Sequence, residues 1–100
     1  MIAEQVKFDR TQVSEYCCKH NIRRLAVFGS AMHWDMRPDS DLDLLIEFKI
    51  PVGLFTMVEM EEEMKTLFPC VPKVDLVTKN SLSKYFRDEV IKEAEVVYAE

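Results

Sequence analysis

Between Leu25 and Phe48 the chain carries two short apolar runs, Leu25-Ala26-Val27-Phe28 and Leu44-Leu45-Ile46, the second with Phe48 just beyond it. Gly29 and Ser30 follow the first run, and Asp41-Leu42-Asp43 opens the second. No other stretch constrains the fold as much. Leu25 to Phe28 reads as one strand and Asp41 to Phe48 as another, joined by a small-residue turn and a loop. Leu44-Leu45-Ile46 is continuous rather than alternating, which predicts a strand covered on both faces. Asp41 and Asp43, two apart on a strand, share one face.

Two ionised carboxylates side by side repel each other and resist burial. A divalent cation between them removes that penalty. Oxygen ligands suit Mg²⁺, which usually takes one or two carboxylates together with substrate phosphates. Gly29 allows a tight turn and close approach of the backbone to a ligand. Ser30 is placed to cap a helix that begins there, and free N–H groups at a helix start favour phosphate. One strand end thus offers a phosphate cradle and the next a metal clamp. A nucleoside triphosphate with its metal fits between them.

Gly29-Ser30, ten residues, then Asp41-x-Asp43 resembles the pattern of the nucleotidyltransferase superfamily related to DNA polymerase beta. The fuller string Arg37-Pro38-Asp39-Ser40-Asp41-Leu42-Asp43-Leu44-Leu45-Ile46-Glu47-Phe48 is similar to the minimal nucleotidyltransferase (MNT) family, small domains often found as antitoxin partners of HEPN-domain toxins. The resemblance extends from about Ile22 to the C-terminus. It implies transfer of NMP, foremost AMP from ATP, to a hydroxyl with the help of one or two Mg²⁺ ions. It implies that Asp41, Asp43 and Asp75 are the catalytic and metal-binding acids, with Asp75 binding a second metal or activating the attacking hydroxyl. Gly29 and Ser30 become the nucleotide contact. The implied partner is a HEPN ribonuclease toxin, and the implied acceptor is one of its tyrosines.

Asp75 is also singled out by its own surroundings. It stands within Val74-Asp75-Leu76-Val77, and a lone buried aspartate in an apolar strand is unfavourable unless paired or metal-bound. The bland alternative is a strand-edge residue in solvent. Asp39 and Ser40 flank the metal strand, and Asp39 is expected to shape the loop. One departure from the family pattern stands out. Where relatives of this kind commonly have x-Ala-Arg-Gly after Gly-Ser, this chain has Ala31-Met32-His33-Trp34. An always-charged fork is replaced at His33 by an imidazole mostly neutral at physiological pH. Weaker phosphate binding is expected, with Arg37 the nearby candidate to supply the charge. Trp34 is a candidate for stacking on a base, although a loop tryptophan more often packs.

One hundred residues, nearly half of them hydrophobic, are expected to make one domain with one core. The acceptor then has to arrive on an open face or on a partner. A net charge of −5 argues against tight non-specific nucleic-acid binding, which depends on phosphate neutralisation. Three cysteines, Cys17, Cys18 and Cys70, do not suggest a secreted disulfide framework. With no signal peptide and no apolar run long enough for a membrane helix, a cytoplasmic protein is expected. Two rival functions follow from the same residues. One is a non-enzymatic antitoxin that neutralises by binding, against which the three carboxylates count. The other is a small-molecule nucleotidyltransferase, which normally carries a further domain.

Along the rest of the chain, Asp9 is expected to cap a helix from about Arg10 to His20, with Asn21 as its stop. A second helix is expected over Leu54 to Leu67, its stripe formed by Met57, Met60, Met64 and Leu67. A short helix should begin at Ser30, a strand should run from Lys73 to Thr78, and a last helix from about Leu82 to Glu95. That helix is expected to turn Leu82, Phe86, Val90 and Ala94 inward, helped by Tyr85 and Ile91. A short strand at Val96 to Ala99 would end the chain. The alternation of helix and strand defines an α/β fold, a small mixed sheet with helices packed on it.

Overall fold

The computed structural model describes residues 6–32, 36–37 and 39–100. Helix α1 spans Arg10–Lys19. It starts where it does because the Asp9 carboxylate accepts the N–H groups of Thr11 and Gln12, at 2.8 and 3.2 Å. Such a cap is worth about 1 kcal/mol. Val13 and Cys17 face the core, and burial pushes the Cys17 thiol up to about 12. Asn21 follows the helix with φ 56°, the left-handed conformation that commonly ends helices.

Strand β1 spans Ile22–Phe28, three residues more than its apolar run. Ile22 is fully buried, while Arg23 and Arg24 are exposed. The extension is supported across the sheet, where Arg24 opposes Glu47 and pairs with it at 3.5 Å. Strand β2 is Leu42–Phe48, and Leu44, Leu45 and Ile46 are all buried. The continuous apolar run therefore does mark a strand covered on both faces.

Helix α2, Leu54–Met64, buries Met60 and Met64, with Met57 and Leu67 packed partly against the core. It ends earlier than its apolar stripe. The Thr66 hydroxyl donates to the Glu63 carbonyl and the Leu67 N–H to the Met64 carbonyl, which tightens the chain into a turn. That turn delivers Phe68 into the interior, fully buried and 5.4 Å from the Phe8 ring. Strand β3, Val74–Val77, follows. Helix α3 is Arg87–Glu93 and strand β4 is Glu95–Ala99.

The strands form one sheet in the order β3-β2-β1-β4. β1 is antiparallel to both β2 and β4, and β2 is parallel to β3. A parallel pair needs a crossover, and α2 provides it. The fold is thus the expected small mixed sheet with helices packed on it. Among the described residues no helix is long and apolar enough to cross a membrane.

The last helix corrects the sequence expectation. It covers only Arg87–Glu93 and has no buried residue. Tyr85 and Phe86 are both exposed, at 87% and 49%. Polar local bonds account for this. Ser81 Oγ donates to the Thr78 carbonyl and accepts the Thr78 N–H, closing a 3₁₀ turn at Lys79–Ser81. The Leu82 carbonyl then accepts from Arg87 Nη2 at 3.1 Å. Serine and threonine bonds of this kind compete with helix formation. The helix resumes where Asp88 and Glu89 occupy its first turn, which favours an N-terminus there.

Candidate active site

Three backbone elements bring the carboxylates together. Asp43 lies near the start of β2, opposite Phe28 of β1 on one side and opposite Asp75 of β3 on the other. Because β2 and β3 are parallel and in register at that pair, the two aspartates occupy matching positions on one face. Asp41 precedes β2 and is half-buried. The Leu42 N–H donates to the Lys73 carbonyl at 2.9 Å, fastening the approach to β2 against the approach to β3.

The turn after β1 closes onto this cluster. Gly29 has φ +75°, and a Cβ on it would lie 2.6 Å from Asp43 Oδ2. The position thus needs glycine for its left-handed backbone and because a carboxylate occupies the side-chain space. The Gly29–Met32 segment is a 3₁₀ turn. It begins one residue earlier than expected, so Ser30 sits within the turn rather than ahead of it as a cap. Ser30 is exposed.

The charges feel one another. Burial raises the pKa of Asp43 above its ordinary value of 3.8, and the negative charges of Asp75 and Asp41 raise it further. Lys73 Nζ lies 3.5 Å from Asp75 Oδ1. On the outer side of β3, the Leu76 N–H donates to Glu61 Oε2 at 2.8 Å, which fixes the peptide unit next to Asp75. Among the described residues no three His, Cys, Asp or Glu side chains converge on one ion position. The donor chemistry nevertheless fits Mg²⁺, which takes one or two carboxylates and completes its shell with substrate phosphates and water.

The loop before β2 is partly described. The Ser40 N–H donates to the Arg37 carbonyl at 3.0 Å, and Ser40 Oγ accepts the Arg37 N–H at 3.3 Å. Asp39 lies exposed in the turn these bonds close, in keeping with its expected role in the loop. The readings placed on His33 and Trp34 fall outside the described residues. Sequence reasoning missed Lys73 and Glu61. Lys73 stands two before Asp75 and so shares its face, a signal that was available. Nothing in the run Glu59 to Glu63 marks Glu61 apart from its acidic neighbours, and only the packing of α2 on β3 selects it.

A mixed sheet that sets an acidic strand start against a glycine turn, with a third acid on the parallel neighbour, is nucleotidyltransferase architecture. The family comparison agrees: the description "Polymerase beta, Nucleotidyltransferase" matches residues 11–100. The chain belongs to that family. It is 35% identical over 80 residues to the protein adenylyltransferase MntA of Thermococcus cleftensis, covering 80% of this chain and 77% of that protein. Its fold is similar to that in a crystal structure of a toxin–antitoxin with AMP-PNP, with TM-score 0.72, 15% identity, and coverage of 92% of this chain and 74% of that one. A tri-AMPylated Shewanella oneidensis HEPN toxin in complex with MNT antitoxin gives TM-score 0.59 and 14% identity, again covering 92% and 74%.

Proposed function

We propose that this protein transfers AMP from ATP to a tyrosine hydroxyl of a HEPN ribonuclease toxin and acts as that toxin's antitoxin. The observation that carries the reading is the in-register pair of Asp43 and Asp75 lying against the Gly29 turn. The names of the similar proteins support AMP as the group transferred and a HEPN toxin as its recipient. Asp41, Asp43 and Asp75 are the metal-binding acids, and Gly29 and Ser30 contact the phosphates.

The chemistry suits an open, small site because it needs positioning and electrostatics more than covalent catalysis. Mg²⁺ bound by these carboxylates supplies charge neutralisation at the α-phosphate and a lower pKa for the incoming hydroxyl. The tyrosine oxygen forms its bond to the α-phosphorus, and the bond from that phosphorus to the bridging oxygen of pyrophosphate breaks. Asp75 takes the phenolic proton, acting as general base. Pyrophosphate departs toward Gly29 and Ser30. Modification near the nuclease site of the toxin blocks RNA cleavage.

Co-expression with a HEPN partner followed by intact-mass spectrometry tests this. The partner should gain the mass of one or more AMP groups on tyrosine when wild-type protein is present. An unmodified partner whose nuclease is nonetheless silenced would replace the transferase reading with neutralisation by contact.

A further inference from the structure

We propose that Lys73 is the resident counter-ion of the three carboxylates, holding Asp75 in the cation-free protein and giving way when a divalent cation enters. The inference rests on the metal clamp proposed above. Lys73 lies immediately before β3, and its carbonyl is bonded to the Leu42 N–H, so its backbone is fixed beside the site. Its side chain is different: it is 61% exposed, with Nζ 3.5 Å from Asp75 Oδ1. A flexible four-carbon stem carries a compact, strongly hydrated charge, which leaves a carboxylate readily.

The surroundings explain why a cation belongs there. Asp43 is half-buried and feels the charges of Asp75 and Asp41, so the cluster without a cation is self-repulsive. The other ion pairs of the described residues are committed elsewhere. Arg24 and Lys79 both hold Glu47, Lys49 holds Glu100, and Lys65 holds Glu62. Lys73 alone among these pairs touches the carboxylate group. An ammonium and a divalent cation then compete for the same Asp75 oxygen. Lys73 is therefore a positioning residue that sets how readily the carboxylates take up metal.

The test is Mn²⁺ titration of the purified protein without nucleotide, followed by electron paramagnetic resonance of the free ion. Lys73→Met should bind Mn²⁺ about three- to tenfold more tightly than wild type, because a nearby like charge and a competitor are both removed. Lys73→Gln is a second neutral variant for the same comparison. Lys73→Arg, which keeps the charge, should stay within about twofold of wild type. Lys49→Met controls for net charge. Its position is six residues beyond Asp43, just past the end of β2, about 20 Å away at the usual strand rise, and it should also stay within about twofold. Unchanged affinity in both neutral Lys73 variants, or equal tightening in Lys49→Met, overturns the inference and leaves the metal clamp standing. A wild-type protein that binds no Mn²⁺ removes the clamp itself, and the role of Lys73 with it.

Discussion

Gly29→Ala should separate stability from function in a way that can be worked out from the structure. The added Cβ would sit 2.6 Å from Asp43 Oδ2, but 3.4 Å from Cγ and 3.5 Å from Cβ of the same residue. Only the oxygen is too close; the two carbons are at ordinary contact distance. Rotation about the Asp43 Cβ–Cγ bond moves the oxygen and leaves the carbons in place. That torsion is broad for aspartate, so the rotation itself is inexpensive. The stability loss should therefore come mainly from holding alanine at φ +75°, about 1–2 kcal/mol. For a chain of this size that lowers Tm by roughly 4–15 °C. The functional loss should be much larger, because the rotated carboxylate no longer faces the site. Binding of Mg²⁺-ATP by calorimetry should fall at least about tenfold, and AMP transfer should fall further. In an Asp43→Ala background, Gly29→Ala should have nearly the same effect on stability as in wild type, within about 0.5 kcal/mol. Wild-type ATP affinity in a folded Gly29→Ala protein would refute the reasoning. So would a Tm loss that disappears in the Asp43→Ala background, since the backbone strain would then be irrelevant.

Asp41→Asn combined with Asp43→Asn should abolish transfer from labelled ATP, while the metal-free protein keeps or gains thermal stability as close like charges are removed. Asp75→Ala should retain much of the Mg²⁺-ATP affinity and lose about a hundredfold or more in transfer rate. In a toxin-rescue assay it should fail although the two proteins still associate, and full rescue would instead favour neutralisation by contact. The pH dependence has a definite sign. Burial and neighbouring acids raise Asp43 above 3.8 in the folded state, so the folded protein holds this proton more tightly than the unfolded chain. Ionisation of Asp43 thus lowers stability above the raised pKa. Asp43→Asn should be more stable than wild type at neutral pH. That advantage should vanish as pH falls through the raised pKa toward 3.8, as read from paired Tm–pH curves.

The elements that carry strong local chemistry were legible in the chain. Asp9 ahead of Arg10 marked the start of α1, and its carboxylate makes the capping bonds. The uninterrupted Leu44-Leu45-Ile46 marked a buried strand, and the Met57-Met60-Met64 stripe marked the inner face of α2. The misplaced boundaries share one cause. In β1, Arg23 and Arg24 look like loop residues until β2 places Glu47 opposite Arg24. At the chain's end, Leu82, Phe86, Val90 and Ala94 have the spacing of a long helix. Helical spacing states which residues share a face, but not that any surface is available to cover that face. Bonds between Thr78 and Ser81 instead close a 3₁₀ turn ahead of Leu82, and the α-helix starts only at Arg87.

By itself the sequence determined that Gly29-Ser30 and Asp41-x-Asp43 end and begin two strands, because turn chemistry and strand parity act over a few residues. It also put Asp43 at the start of β2 before any partner strand was known, although the strand begins at Leu42 and leaves Asp41 just ahead of it. The tertiary structure alone decided that β3 is the parallel neighbour of β2, so that Asp75 stands opposite Asp43 across about thirty positions of chain. It also decided that the empty side-chain space of Gly29 is filled by the Asp43 carboxylate, and that Glu61 rather than another acid of α2 holds the peptide beside Asp75. Register, close approach and the choice among equivalent side chains depend on which surfaces meet, and that is settled only when the sheet and helices pack as a whole.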